Sequence, residues 1–404
     1  MEEFIDPTEH VYILRLLYNS GEDDPLFKYF LGCVGEGDNV AMNDIGLYYE
    51  KKGDTNNMLK YYMLGAEAGN MASIMNLGLY YEKKEDYDNM LRYYLVAIEK
   101  GELFIINNLA LYYKKIKDYD NMLKYYLIGI ESGNVDSMYN MGLYYDEIED
   151  YDLAIKYYLM AIEFKSVCAM NNIAICYEKT GKYDLSVKYY LMAVERGHIG
   201  AMNGLGSLYM EMGDYDNAVK YYLMAIENNN IYSMNNLGLL YGKKGDHENA
   251  IKYYLMAIEF GLLYEKKREY DLGVGCNNHK SMNNIAIYYY KIGDYENAVK
   301  YFLMAIENGN TDAFCGISFY YKKIKDYDNM LKYYIMGSEA GDIDCINNLG
   351  LYYQKKNDKE NAVKYFLIGI EKGNVICMSN LALYYMFLGD YHNAIKYNLM
   401  AIEK

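Results

Sequence analysis

Apolar residues in the stretch 229–260 follow two helical patterns separated by a short polar turn. The first pattern has the spacing i, i+3, i+4, i+7 and consists of Met234, Leu237, Gly238 and Tyr241. The second repeats that spacing at Ala250, Tyr253, Tyr254 and Ala257. Between them, GKKGDHE supplies the glycine and aspartate that are typical of a helix end followed by a helix start. The stretch therefore predicts a helical hairpin, which is too short to bury its apolar face without neighbours.

Close copies of this hairpin fill nearly the whole chain of 404 residues. A basic residue before an aromatic pair recurs at Lys28, Lys60, Arg92, Lys124, Lys156, Lys188, Lys220, Lys252, Lys300, Lys332, Lys364 and Lys396. Every step is 32 residues except the step of 48 after Lys252, which indicates one insertion of 16 residues. The period predicts an all-α solenoid of about twelve 32-residue helix-turn-helix repeats.

The period also predicts how the chain is divided. Residues 1–36 form a degenerate N-terminal capping repeat, residues 37–260 and 277–404 form the regular repeats, and residues 261–276 form a half-repeat insertion. The insertion either lengthens the helix that ends near residue 260 or loops outwards. It is either a tolerated surface insertion or a hinge or dedicated contact. In the last helix, Asn398 replaces the aromatic residue of the other repeats, which predicts a polar cap on the array.

Certain columns of the repeat have an evident structural role. One first-helix position holds tyrosine from Tyr49 to Tyr385, and we expect these rings to anchor the core. Small residues such as Gly46 and Gly65 stand where helices must approach closely. Cys345 and Cys377 occupy a position that holds Ala or Ser elsewhere, so small buried thiols are expected there and not disulfides or metal ligands.

These residues resemble known repeat families over residues 5–404. The stretch 141–158 is similar to the first helix, turn and second helix of tetratricopeptide repeats. Segments of the type KYYLMAIEKGN resemble the junction of Sel1-like repeats, although the tetratricopeptide proline and the longer Sel1 turn are missing. The resemblance implies a right-handed superhelical α-solenoid whose first helices line a concave groove. The Tyr-, Asn- and Lys-rich composition also resembles expanded repeat families of giant DNA viruses, which implies the host cytoplasm if the chain is viral.

The resemblance implies a non-catalytic scaffold or adaptor that binds a protein or peptide in that groove. Two further functions stay open: a structural or self-associating spacer, and a regulatory subunit of a ubiquitin-ligase-type complex, as in some Sel1-like proteins. A monomer is expected, with a homo-oligomer as the alternative. The carboxylate clamp that holds chaperone tails is not expected, because the first-helix groove positions hold Asn, Leu or Gly in place of its Lys and Arg.

One stripe of the first helix remains after the core positions are assigned, and it is the candidate peptide-binding surface. Its asparagines are Asn76, Asn108, Asn140, Asn172, Asn236, Asn284, Asn348 and Asn380. Beside them stand the leucines Leu79, Leu111, Leu143 and Leu239. An asparagine can donate and accept at once, so a ladder of them either grips the main chain of an extended peptide or bonds neighbouring helices.

A second candidate surface lies near the carboxy terminus. Met386, Phe387 and Leu388 replace the charged sequence found at Glu50, Lys51 and Lys52. This apolar substitution indicates either a partner patch or drift beside a chain end.

The sequence contains few residues in arrangements typical of catalytic or metal sites. The five histidines are scattered, no metal-ligand or nucleophile motif occurs, and we expect no enzyme activity, no metal and no cofactor. A net charge of -16 argues against nucleic acid as a partner. No apolar run approaches the roughly 18 residues that span a bilayer, and no signal peptide is evident, so a cytoplasmic protein without a membrane partner is expected.

Overall fold

The computed structural model describes residues 21–22, 24–103, 105–267 and 278–404. Within these ranges all regular secondary structure is α-helical, in 23 helices, which confirms the predicted all-α class. The helices are α1 Pro25–Gly35, α2 Asn39–Lys52, α3 Thr55–Glu67, α4 Met71–Lys83, α5 Tyr87–Glu99, α6 Ile106–Lys115, α7 Tyr119–Glu131, α8 Val135–Glu147, α9 Tyr151–Glu163, α10 Val167–Lys179, α11 Tyr183–Val194, α12 Ile199–Glu211, α13 Tyr215–Glu227, α14 Ile231–Lys244, α15 His247–Lys267, α16 Asn278–Ile292, α17 Tyr295–Glu307, α18 Asp312–Lys323, α19 Tyr327–Glu339, α20 Ile343–Lys355, α21 Lys359–Glu371, α22 Val375–Phe387 and α23 Tyr391–Ile402.

The chain forms two compact units, residues 1–189 and 190–404. The first unit contains α1 to α10 and the start of α11, and the second contains the remainder of α11 and α12 to α23. Within each unit a helix packs chiefly against its neighbours in sequence, so the helices form a series of stacked hairpins. Each unit is therefore an α-solenoid.

The turn inside each hairpin is built from local backbone chemistry. In the α8–α9 hairpin, Glu149 ends the first helix in the left-handed region with a φ of 63°. Asp150 then caps the second helix, since its Oδ1 accepts from the backbone N–H of Leu153 at 3.1 Å. The left-handed residue and the aspartate cap reverse the chain in a few residues.

Small residues bring the two helices of a hairpin close together. A Cβ added to Gly142 on α8 would lie 2.6 Å from the ring of Tyr158 on α9, which is fully buried. Between successive hairpins, a Cβ on Gly129 would lie 2.2 Å from Oγ of Ser137. The close contacts explain why these columns hold Gly, Ala, Ser or Cys in every described repeat except at Ile105.

The two irregular regions of the sequence are only partly described. Pro25 lies in the first turn of α1, while the earlier part of the capping repeat lies largely outside the described residues. The first seven residues of the insertion, 261–267, lengthen α15, and residues 268–276 lie outside the described residues. Asn398 is exposed on α23 beside the exposed Ile395 and Leu399.

Candidate functional site

The candidate asparagines lie at equivalent positions on the first helices of eight hairpins, and all are half-buried. Most of them donate from Nδ2 to the first helix of the preceding hairpin. The Nδ2···Oδ1 pairs are Asn76 to Asn43 (3.1 Å), Asn140 to Asn107 (2.8 Å), Asn236 to Asn203 (3.2 Å), Asn284 to Asn235 (3.0 Å) and Asn380 to Asn347 (2.8 Å). The asparagine ladder therefore ties successive hairpins together within each unit.

The three other asparagines of this column find different acceptors. Asn108 donates to Glu82 at 3.5 Å, and Asn172 donates to the hydroxyl of Tyr139 at 3.1 Å. Asn348 donates to the backbone oxygen of Asp344 at 2.9 Å, and its Nδ2 lies 3.5 Å from the sulfur of Cys315. A contact between this column and a peptide remains a prediction.

The candidate leucines lie one helical turn after the asparagines and point away from the core. Leu79 is 41% exposed and Leu111 is 43% exposed, while Leu143 and Leu239 are half-buried. Leu351 and Leu383 continue the same column in the second unit and are also exposed. Each unit thus carries a row of accessible apolar side chains on its first helices. We call this row, with the asparagine column, the first-helix face.

Equivalent grooves occur on this face in both units. In the first unit, a groove of about 320 Å³ lies between successive hairpins and is lined by Glu50, Gly53, Thr55, Met58, Asn76, Leu79, Tyr80, Lys83 and Lys84. In the second unit, a groove of about 420 Å³ is lined by Lys322, Tyr327, Met330, Tyr334, Asn348, Leu351, Tyr352, Lys355 and Lys356. Both grooves combine an asparagine, a leucine and a tyrosine with a lysine pair at the rim, so equivalent grooves occur at the same repeat position in the two units.

The position that Thr55 and Tyr327 occupy in these grooves holds a tyrosine in several other hairpins. Tyr119 on α7 packs against Tyr144 on α8, with 5.7 Å between the ring centroids. Lys115 Nζ donates to the hydroxyl of Tyr87 at 2.6 Å and lies 5.1 Å from the centroid of that ring. This hydrogen bond is the largest cause that raises the pKa of Lys115, so the lysine stays charged beside Tyr87.

The second candidate surface is accessible. Phe387 is 79% exposed, Met386 is 45% exposed and Leu388 is 39% exposed. On the adjoining α23, Tyr391 and Ile395 are exposed as well. The patch predicted from three residues is thus part of a larger apolar surface at the last described hairpin.

Two thiols and one carboxylate of the described ranges illustrate the structural roles of these groups. Cys345 and Cys377 are fully buried at the interfaces between hairpins, and burial raises the pKa of the Cys377 thiol to about 11. Hydrogen bonds from Asn121 lower the pKa of the Asp118 carboxyl, which caps α7. Within the described ranges, no group of three or more His, Cys, Asp or Glu residues could hold a metal ion.

The last turn of the first helix contains a functional position that the sequence patterns did not reveal. Glu50 and Glu82 stand there, and they accept hydrogen bonds from the buried Tyr62 and Tyr94 of the following helices at 2.7 and 2.6 Å. In sequence these glutamates are indistinguishable from the charged, solvated residues beside them. Each glutamate precedes its tyrosine by twelve residues. Residues at this spacing come into contact only because the chain folds into a hairpin.

Family models described as tetratricopeptide repeat match residues 135–168, 169–196, 198–262, 280–307, 343–367 and 377–399. Together the matches cover just over half of the chain, and each falls on helices that the structure pairs as hairpins. The chain belongs to the tetratricopeptide-like repeat proteins. This identification supports protein interaction as the general class of its function.

Three solved structures were compared with this tetratricopeptide-like chain, and the one with a TM-score above 0.5, Tom70, supports its fold. Yeast Tom70 is similar with a TM-score of 0.52 at 13% identity, over 90% of this chain and 91% of Tom70. A human IFIT1 dimer with m7Gppp-AAAA has a TM-score of 0.42 at 13% identity, over 100% of this chain and 96% of IFIT1. MamA has a TM-score of 0.35 at 22% identity, over 43% of this chain and 97% of MamA. At such identities the likeness to Tom70 concerns the fold alone.

No curated protein matches the sequence of this tetratricopeptide-like chain. Among the helices that the structure describes, none combines the length and the apolar character that crossing a membrane requires.

Proposed function

We propose that the chain is a non-catalytic scaffold that binds an extended peptide segment of a partner protein along the first-helix face. The observation that carries this proposal is the pair of equivalent grooves, one in each unit, at the same position of the repeat. Because the groove recurs at the same position of the repeat, each unit offers an equivalent place for part of an extended ligand.

Burial of the exposed leucines would supply the main free energy of peptide binding. Leu79 and Leu111 each leave about two fifths of the side chain in water, and burying such surface contributes roughly 25 cal/mol per Å². The asparagines contribute less to the free energy of binding than the leucines, and they fix the direction in which the peptide main chain runs. Because the Nδ2 of Asn76 already donates to Asn43, its amide is held in place and its Oδ1 is the atom left to accept from a peptide N–H.

A matched pair of variants tests the peptide site. Leu79→Ser with Leu111→Ser removes exposed leucines from the first-helix face, and Leu127→Ser with Leu159→Ser removes leucines of similar exposure from second helices. Peptides are first selected on the unaltered chain from a displayed random library, and their affinities are then measured by fluorescence anisotropy. We expect the first variant to weaken binding by tenfold or more, and the second to leave it unchanged.

Thermal unfolding followed by circular dichroism accompanies both variants. The exposed leucines contribute little to the core, so both variants should keep the melting temperature of the parent. Equal binding by the two variants, or the failure of the chain to select any peptide, would contradict the peptide site.

A second candidate function is self-association through the carboxy-terminal surface. The observation that favours it is the contiguous exposure of Phe387, Tyr391 and Ile395 at the last hairpin. Exposed apolar surface of this kind marks interaction sites. The test is the molar mass of the chain in solution as a function of its concentration.

A further inference from the structure

The buried tyrosines of the second helices require a partner for their hydroxyl groups. In two hairpins of the first unit that partner is a glutamate at the end of the first helix: Tyr62 donates to Glu50 at 2.7 Å, and Tyr94 donates to Glu82 at 2.6 Å. Both rings are buried, so the carboxylate satisfies a donor that water reaches poorly. A carboxylate at this point is thus part of how the repeat completes its core.

The α18–α19 hairpin lacks that carboxylate. Lys322 takes the place of the glutamate, and the hydroxyl of Tyr334 has no hydrogen-bond partner among the described residues. Tyr334 is only 2% exposed. Burial raises the pKa of Tyr334 above its usual range, so the hydroxyl keeps its proton and remains a donor. An unpaired buried donor is costly, which makes Tyr334 a point where an acceptor from outside would be stabilising.

The unpaired hydroxyl belongs to the larger of the two grooves. Tyr334 lines the cavity of about 420 Å³ together with Lys322, Lys355 and Lys356, and none of its lining residues is acidic. The Nζ of Lys322 lies 5.9 Å from the ring centroid of Phe319, whose ring meets that of Tyr334 edge-on. Three exposed lysines and the buried Tyr334 therefore line one cavity of an otherwise acidic chain.

We infer that the groove beside Tyr334 binds a carboxylate group of the partner segment, which accepts the hydroxyl hydrogen of Tyr334 and pairs with the lysines at its rim. The bound carboxylate accepts a hydrogen bond from the Tyr334 hydroxyl, as Glu50 accepts one from Tyr62. This inference rests on the proposed peptide-binding function, because the groove is one of the two that carry it. It adds that the preferred partner segment is acidic at this point.

A second lysine at the same repeat position shows why this groove differs. Lys114 precedes Tyr126, whose buried hydroxyl also lacks a partner among the described residues. Lys114, however, donates to Glu147 of the next hairpin at 2.7 Å, so an acid of the chain itself already neutralises that position. Lys355 occupies the position equivalent to Glu147 in the hairpin that begins with α20. Lys322 therefore has a lysine in place of an acid at that position, which favours an acid from outside the chain.

Three labelled peptides test the inference on the full chain by fluorescence anisotropy. The first is an amidated peptide of Ser-Leu-Glu repeats, the second is its amidated Ser-Leu-Gln counterpart, and the third is the Ser-Leu-Gln peptide with a free carboxy terminus. We expect the glutamate peptide to bind about tenfold or more tightly than the amidated glutamine peptide, as charge-assisted hydrogen bonds to a buried donor are strong. A gain by the third peptide over the second identifies a terminal carboxylate as an acceptable source of the same group.

Two variants test whether the preference for the glutamate peptide arises at Tyr334 and Lys322. Tyr334→Phe removes only the hydroxyl, and the fold accepts it because Phe302 and Phe366 occupy the same repeat position. Lys322→Glu restores the internal acceptor that Glu50 supplies to Tyr62. Both should reduce the preference for glutamate over glutamine to about twofold or less, and Lys322→Glu should also raise the melting temperature. The matched control, Tyr62→Phe, should keep the full preference and lower the melting temperature, since it leaves Glu50 without its donor.

The outcomes separate this inference from the proposed function. Equal affinity for the glutamate and glutamine peptides, with binding lost in the Leu79→Ser and Leu111→Ser variant, would overturn the carboxylate site and support the peptide groove. A glutamate preference that persists in Tyr334→Phe and Lys322→Glu would also overturn it. Absence of binding by every peptide would overturn both.

Discussion

The ring of Tyr113 on α6 lies parallel to the ring of Tyr125 on α7, with 5.4 Å between the centroids and 5° between the planes. The Nζ of Lys124 lies 5.2 Å from the centroid of the Tyr125 ring. The stacked pair recurs in all eleven hairpins of the described chain, from Tyr49 with Tyr61 to Tyr385 with Tyr397. Each hairpin is therefore closed by the same aromatic pair, which adds directional contacts to the burial of apolar surface.

The first prediction concerns unfolding in alkali. Burial is the largest cause that raises the pKa of Tyr113 and of its equivalents, such as Tyr209 and Tyr353, above the ordinary value of about 10. The folded chain thus keeps protons that the unfolded chain loses. Stability from this source is fully present below about pH 10 and is lost as the pH rises through the folded-state values.

We expect helicity and tyrosinate formation to change together in one steep transition above about pH 10. Circular dichroism and ultraviolet absorbance, recorded on the same samples, check this. Ionisation of most tyrosines at their ordinary pKa while the helices remain intact would contradict the account of the stacked pairs.

The second prediction concerns the contact between successive hairpins at Gly129 and Ser137. A Cβ on residue 129 would lie 2.2 Å from Oγ of Ser137 and 3.0 Å from Cγ2 of Ile106. Gly129→Ala should therefore destabilise the chain by about 1 kcal/mol, since overpacking outweighs the better helix propensity of alanine. Urea denaturation followed by circular dichroism measures the change.

The matched control is already present in the chain, because Ala161 and Ala169 form the equivalent contact two helices further on and are fully buried. Adding Ser137→Ala to Gly129→Ala recreates that pair and should restore most of the lost stability. Ser137→Ala alone should be neutral or stabilising, as its Oγ has no partner in the described structure. Additive effects in this double-mutant cycle would show that the two side chains do not clash.

These contacts show how far the sequence predicts the molecule. The hairpins, their aspartate caps and the tyrosine anchors follow from patterns within one repeat, since they depend on residues close together in the chain. The partners of Asn76 and Tyr62 do not follow, because they depend on how far one helix is displaced along its neighbour. That offset makes Asn43 the acceptor for Asn76 and Glu50 the acceptor for Tyr62.

The third prediction concerns turns that end in a left-handed residue other than glycine. Glu85 and Glu149 have φ values of 57° and 63°, whereas the equivalent Gly213 and Gly389 adopt 79° and 77° without a Cβ. Replacing each glutamate with glycine should stabilise the chain by about 1 kcal/mol, because the left-handed conformation costs an L-residue roughly that much. The melting temperature of Glu85→Gly with Glu149→Gly checks this.

The control for this prediction is Gly213→Ala, which imposes the same strain on a turn that lacks it. It should lower the melting temperature, although nothing lies within 4 Å of an added Cβ there. If both changes leave the melting temperature unaltered, the left-handed turns contribute nothing measurable to stability.

The fourth prediction concerns the carboxy-terminal surface. Ile402 on α23 is 79% exposed, whereas its repeat equivalents Ile226 and Ile258 are 9% and 4% exposed. The following hairpin covers those equivalents. Because hairpins of this sequence cover that face elsewhere, the surface at Ile402 fits a second copy of the chain. We expect the molar mass measured by light scattering to rise with protein concentration towards that of a dimer.

Phe387→Ser with Ile402→Ser should hold the mass at that of one chain at every concentration tested, because it removes the two most exposed apolar side chains of this surface. Leu127→Ser with Leu159→Ser, which alters exposed leucines elsewhere, should leave the rise intact. A mass that stays at one chain for the unaltered protein would refute self-association. A rise that persists in the Phe387 and Ile402 variant would place the interface on another surface.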